Sequence, residues 1–240
     1  MIENLIIRQA TADDIDFIIK TIIESDKSST DVISACNIFS LSESEYKEIL
    51  KNILAESIGN NEYDINGYLI AELENRKLGA LASWFEGLDG ISNSVIKSNL
   101  LFSFIDREKL IKNKDRMHLV NALTLNREQK TIQLEYAYVV EEKRRQKIFT
   151  TLIIESIRKN FNFGYKSNVQ AMLYPNNYKS FNAFEKLGFK VKAEKKSDNP
   201  EIRKFFAYNS KVLMELDRDS AEKLIDSPLE LISINNSISI

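Results

Sequence analysis

The chain has 240 residues, 43% of them hydrophobic and 28% charged, with 33 basic against 35 acidic side chains and a pI near 5.7. That composition excludes a largely disordered chain, and a net charge of −2 excludes a long-range field that would draw nucleic acid or an acidic membrane. Any bound anion must be held by a local cluster.

The opening MIENLIIRQATADD carries acids and no long apolar stretch, so it reads as neither a secretory signal nor a transit peptide. No apolar run approaches the roughly 18 residues of a membrane span. Cys36 is the only cysteine, which leaves no intrachain disulfide and no cysteine-based metal site. The expectations are a cytoplasmic location, no metal, no nucleic-acid partner and no membrane.

A short β-prone run at residues 5–8 leads to Thr11 and Asp14, spaced as a capping box. Ile15, Ile18, Ile19, Ile22 and Ile23 then recur at helical spacing. Ser42 with Glu45 predicts a second capped helix, with Tyr46, Ile49, Leu50, Ile53 and Leu54 on one face. The runs GYLIAEL and KLGALASWF, parted by Glu74, Asn75 and Arg76, predict a hairpin. Residues 86–117 read as an insertion with helical spacing over 95–111, and insertions beside a site often carry specificity. HLVNALTL and TIQLEYAYVV, flanking a polar turn at 126–130, predict a second hairpin.

A helix over 149–159 follows, then the strand NVQAML, a second helix, and closing strands at 189–194 and 205–216. The fold class is α/β, a sheet with helices on both faces. The tail at 217–240 mixes a short helix signal with the alternating LELISINNSISI, which suits an added edge strand or a contact with another subunit.

The junction after IQLEYAYVV carries the strongest chemical signal. Lys143, Arg144, Arg145 and Lys147 crowd the predicted start of a helix, where the dipole disfavours cations unless an anion sits among them. The competing reading is a solvated basic turn balanced by Glu141 and Glu142. Within the strand, strict alternation places Gln133, Glu135, Ala137 and Val139 on one face, and Ile132, Leu134, Tyr136, Tyr138 and Val140 on the apolar other.

Val139, Arg144 and Ile148 fall on the pattern V-x-P-x-x-[RQ]-x-x-G-x-[GA], and Asn177, Ser180, Phe184, Glu185, Lys186, Leu187, Gly188 and Phe189 fall on N-x-x-[AS]-x-x-x-[YF]-E-K-L-G-F. With these two ordered motifs the chain resembles the GCN5-related N-acetyltransferases over residues 5–216. The resemblance implies a mixed, mostly antiparallel sheet in a domain at 1–217, with 218–240 as an extension. It also implies acetyl-CoA as acyl donor and a small-molecule or peptide amine as acceptor, attacked directly in a ternary complex. Homodimerisation is frequent in that family.

Backbone amides of Ala137, Val139 and Val140 would by the same resemblance meet the thioester and pantetheine. Arg144, Arg145, Gln146, Lys147, Ile148, Phe149 and Thr150 would hold the pyrophosphate, and Asn177, Ser180 and Phe184 would flank the pantetheine arm. Asn177 also reads as a helix cap. Glu135 is the candidate general base, with a plain ion-paired strand glutamate as the alternative.

Two departures stand out. Phe184 occupies the position of a proton-donating tyrosine, and a phenyl ring cannot donate, so Tyr174, Tyr178 or Tyr138 would have to substitute, or the thiolate would leave unassisted. Lys147 and Phe149 stand at the two glycine positions of the loop. The rival function is a non-catalytic acyl-CoA-binding module. Trp84, Phe85, Tyr136 and Tyr138 are candidate acceptor-pocket residues, or else core.

Overall fold

A computed structural model describes residues 4–227. Seven strands form one sheet in the order β1 (Ile6–Gln9), β2 (Tyr68–Leu73), β3 (Arg76–Phe85), β4 (Ile132–Val139), β5 (Val169–Leu173), β7 (Ser210–Leu216), β6 (Lys190–Lys196). Every neighbouring pair is antiparallel except β4 and β5. The expected mixed, mostly antiparallel α/β architecture is what forms.

The first half folds as its patterning dictates. Thr11 and Asp14 make their capping box ahead of α1 (Ile15–Lys27), whose isoleucine stripe is buried. A short α2 (Ser34–Phe39) follows. Ser42 caps α3 (Glu43–Ala55), its Oγ accepting from the Glu45 N–H at 3.2 Å while the Glu45 carboxylate accepts from the Ser42 N–H at 2.8 Å. Glu74 and Asn75 both take positive φ in the two-residue turn joining β2 to β3.

The second hairpin is not formed as expected. β3 pairs directly with β4 from Phe85↔Ile132 onward, so the inserted segment spans 86–131 rather than 86–117. Its neck is closed by Glu86 N–H to Thr131 O at 2.8 Å and Lys130 N–H to Glu86 O at 2.9 Å. Inside it lie α4 (Asn93–Phe104), α5 (Arg107–Lys112) and α6 (Met117–Leu123). HLVNALTL is thus mostly helix: Leu119 and Leu123, one turn apart, are the residues it buries, and that spacing outweighed a short run's β propensity. His118 lies in α6, not at a strand start, with its ring nitrogen against Asp115 O.

Beyond β4 come α7 (Ile148–Asn162), α8 (Tyr178–Lys186) and α9 (Arg218–Asp226). Residues 205–209 do not join the last strand, which starts at Ser210 after a 3-10 turn at Pro200–Lys204. One core lies between the sheet and α1, α2, α3, α4 and α6. The other lies under α7, α8 and α9, where Ala221 is fully buried and Leu224 and Ile225 pack. The expected boundary at 217 therefore divides residues that share a core. The segment LELISINNSISI, at 229–240, falls wholly outside the described residues. Among the described residues, no helix is long and apolar enough to cross a membrane.

Gly188 shows what the second motif does for folding. It sits just past α8 with φ 92°, its N–H bonded to Glu185 O at 2.9 Å, while Phe189 N–H reaches Phe184 O at 3.2 Å. That is a Schellman cap, closed by the Phe184 and Phe189 rings 5.0 Å apart.

Candidate active site

β4 and β5 stay paired for only three residues, ending at Leu134↔Ala171, while β5 continues along β7 to Leu173. From Glu135 onward, β4 therefore has no strand on that edge among the described residues. The other edge is irregular as well. Ala82 faces Glu135 and Ala80 faces Tyr138, so Leu81 alone opposes Tyr136 and Ala137, and Tyr136 takes φ 48°. This is a β-bulge, which re-aims side chains and bends the strand away from its neighbour.

The bulge corrects the predicted faces. Ile132 and Leu134 pack under α7, but Tyr136 is in the core beneath α1 and α3. The Tyr138 ring meets Phe17 of α1 edge-on at 6.3 Å, with the Lys20 ammonium 5.4 Å from its centroid. Glu135 and Tyr136 thus share a face that strict alternation would have divided.

Around that face stands a charged cluster. Glu62, 2% exposed, pairs with Lys97 of α4 and accepts from the Tyr136 hydroxyl at 2.8 Å and from Asn93 Nδ2 at 2.8 Å. Burial alone would raise the Glu62 pKa, but Lys97 and Arg127 outweigh it and hold the carboxyl below its usual range. Burial likewise disfavours charge on Lys97, yet Glu62 and Glu135 keep its pKa above the ordinary value. Arg127 pairs with Glu135, donates to Gln133 Oε1 at 2.7 Å, and lies 5.0 Å over the Trp84 ring. Glu135, the candidate base, is therefore ion-paired and four-fifths buried in its side chain.

The sequence reading missed Glu62, Lys97 and Arg127. Two lie in or beside the insertion, and nothing local marks which of its charges turn inward. Of the proposed pocket aromatics, Phe85 stacks on Tyr165 at 4.5 Å, and the buried Trp84 donates to Glu86 at 3.0 Å.

On the α7 side, the loop after β4 is a 3-10 turn at Glu141–Lys143 followed by extended Arg144. Arg145 and Lys147 both adopt left-handed φ, 62° and 65°. Lys147 stands where the motif has glycine, so the backbone keeps the glycine conformation at a cost of about 1 to 2 kcal/mol. Among the described residues no side chain caps α7, whose ladder begins with Thr151 N–H on Lys147 O at 2.9 Å. Glu142 is drawn away to Arg76, while Glu141 is exposed. Arg144 Nε donates to Val139 O at 3.1 Å, and Gln146 Nε2 reaches Glu142 O at 3.5 Å.

Ala137 and Val139 lie on the stretch of β4 that β5 has left, but the Val140 N–H, expected at the thioester, is bonded instead to Leu78 O at 2.9 Å, because it points to the β3 edge; Ile148 is buried at the first turn of α7, with Phe149 and Thr150 half-buried beside it. The structure thus brings the predicted loop residues to one uncapped helix start next to the unpaired strand edge. Gly79 of β3 makes this approach possible. A methyl group there would lie 3.0 Å from Tyr138 O and 3.2 Å from Ile148 Cγ2 and Val139 Cγ2. Gly79→Ala is expected to destabilise the fold by about 1 to 3 kcal/mol through overpacking, read as a lower urea midpoint.

The remaining candidates are dispersed. Phe184 is 6% exposed between Phe149 and Phe189, so it belongs to the core. Asn177 is at the N-cap position of α8 but does not cap it; its Nδ2 donates instead to Ser28 Oγ at 2.8 Å, at the end of α1. Ser180 is half-buried in α8. Tyr178 is 68% exposed at the start of α8, whereas Tyr174 is buried after β5. The two tyrosines are not equivalent sites.

This geometry defines a class of fold, that of the N-acetyltransferases, and solved structures share it. The chain is similar to an N-acetyltransferase from Staphylococcus aureus Mu50, with a TM-score of 0.61 at 14% identity over 88% of this chain and 100% of that one. A Salmonella typhimurium protein solved with its cofactor acetyl-CoA matches with a TM-score of 0.51 at 15% identity, over 94% and 96%. A ribosomal-protein-alanine N-acetyltransferase from Brucella melitensis matches with a TM-score of 0.51 at 18% identity, over 89% and 99%. No family model and no curated protein matches by sequence.

Proposed function

We propose that this protein is an N-acetyltransferase that moves an acetyl group from acetyl-CoA to a primary amine, by direct attack in a ternary complex. The carrying observation is the parting of β4 from β5 after Leu134, immediately beside the uncapped start of α7. A thioester needs donors for its carbonyl oxygen, and a diphosphate needs a cluster of N–H groups and cations. The edge of β4 that β5 leaves offers the first, and the basic turn at the start of α7 offers the second. The bound fold neighbour supports the choice of acyl donor.

In this reading, acetyl-CoA supplies the activated acetyl carbon. Backbone N–H groups of Ala137 or Val139 would stabilise the developing oxyanion, a contribution of about 2.7 to 4 kcal/mol for a preorganised donor, whereas the Val140 N–H is already bonded to Leu78 O. Arg144, Arg145, Gln146 and Lys147, with the first amides of α7 at Ile148, Phe149 and Thr150, would hold the pyrophosphate. Asn177 and Ser180 would line the pantetheine arm. Phe184 lends the wall its ring and no proton.

Glu135 would take the amine proton, directly or through a water, its carboxylate oriented by Arg127. The departing thiolate would draw its proton from the exposed Tyr178 hydroxyl or from solvent. Tyr174 is turned to the α1 side with Lys211. A second reading, acyl-CoA binding without turnover, draws on the buried Phe184 and the non-glycine Lys147. Thiol release followed over a panel of amines separates the two. Acceptor-dependent release supports transfer, whereas tight acetyl-CoA binding with no release under any amine supports the second reading.

A further inference from the structure

On the α1 side of the gap, Lys97 is matched within ion-pair distance by Glu62 and Arg127 by Glu135. Lys211, the second residue of β7, differs. Among the described residues no carboxylate lies within ion-pair distance of its ammonium, which instead sits 4.9 Å from the Tyr174 ring centroid and 5.6 Å from that of Phe206. Two acids act on it from farther off, first Glu135, which is paired with Arg127, and then Asp26, which accepts from the Ser34 N–H at 2.7 Å and Ser34 Oγ at 2.8 Å. Beside Lys211, the Tyr174 hydroxyl is buried, with the Ser34 side chain near it but beyond hydrogen-bond geometry. Leu173 pairs with Val212, which packs under α7, so Tyr174 and Lys211 project to the opposite, α1 side of the sheet.

A desolvated ammonium stacked on aromatic rings and a buried hydroxyl without an acceptor are both costly as they stand. An oxyanion satisfies both: it accepts from the hydroxyl and neutralises the cation. A second ammonium satisfies neither. We propose that the acceptor amine carries an anionic group, a carboxylate or a phosphate, that seats on the Lys211 ammonium and the Tyr174 hydroxyl. This rests on the acetyltransferase reading and narrows its acceptor from any amine to acidic ones.

The test compares butylamine, γ-aminobutyrate, aminopropyl phosphate and putrescine as acceptors for the wild-type protein, Lys211→Met and Lys211→Arg. The expected result is a preference for one of the two anionic amines over butylamine of about 10- to 100-fold in kcat/KM, carried by KM, the worth of one charge-assisted contact. The preference should collapse in Lys211→Met and return in Lys211→Arg, and the carboxylate and phosphate arms identify the anion. Butylamine or putrescine serving as well as the acids, or a preference that survives Lys211→Met, overturns the proposal.

Should acetyl-CoA bind but no amine on the panel react, the transfer reading fails separately, and the thermal midpoint decides the anion site. Phosphate or succinate raising the midpoint of wild type but not of Lys211→Met, against chloride at equal ionic strength, upholds it. Equal shifts, or none, overturn it.

Discussion

Lys97→Met is expected to cost about 2 to 3 kcal/mol of unfolding free energy at pH 7, because it leaves the Glu62 carboxylate buried without its cation. Breaking a buried pair from one side costs about 3 to 5 kcal/mol, and the figure is reduced here because the Lys97 side chain is 35% exposed. The bonds to Glu62 from Tyr136 and Asn93 remain. The reverse change, Glu62→Gln, should cost less, since the long Lys97 stem can turn its head to water. That asymmetry is a sharper signature than either value.

The pH dependence has a definite sign. The Glu62 pKa is lower in the folded chain than unfolded, so its ionisation adds stability above the unfolded value of about 4.3 and loses it as the pH falls through the folded value. Without Lys97 that lowering is largely removed. The deficit of Lys97→Met should therefore be full at pH 7 and should narrow below about pH 4. Urea melts of both variants at the two pH values check this. A deficit that grows on acidification would contradict the ion-pair account.

Glu135→Gln is expected to lower kcat/KM by about 10²- to 10⁴-fold, the usual range for a positioned base. The glutamine keeps the length of the side chain, and its Oε1 can still accept from Arg127, which also holds Gln133 at 2.7 Å. The fold should survive with a lowered thermal midpoint, because Arg127, with only 12% of its side chain exposed, loses its paired charge, so activity is compared per folded protein. An unchanged kcat/KM would remove Glu135 from the mechanism and leave it as the ion-paired strand residue of the alternative reading. A loss of activity that merely tracked a loss of folded protein would do the same.

Much of this was legible in the sequence, for reasons that can be named. Local signals held: the boxes at Thr11/Asp14 and Ser42/Glu45, the isoleucine stripe of α1, and the turn at Glu74 and Asn75 each act within a few residues of themselves. The F-E-K-L-G-F segment was legible twice over, once as a family motif and once as a C-cap, and its Schellman geometry accounts for Gly188 on folding grounds alone.

What escaped was non-local. Strict alternation along β4 failed at Tyr136, because a bulge depends on the register of β3 and has no signature in IQLEYAYVV itself. The strand expected at HLVNALTL became α6, because its burial is set by the helices of the insertion rather than by its own β propensity. Glu62, Lys97 and Arg127 are ordinary charges in sequence; only the packing of α4 and the strand that follows the insertion turns them toward Tyr136 and Glu135. Asn177 was read as a cap, and the cap position was right, but Ser28 at the end of α1 competes for its amide.

The central claim is that the open edge of β4 and the start of α7 together receive acetyl-CoA. Backbone hydrogen exchange with and without saturating acetyl-CoA tests it most directly. Slowed exchange confined mainly to residues 135–140 and 146–151 is the expected result. Unchanged exchange in both segments, with protection elsewhere or none at all, would contradict it.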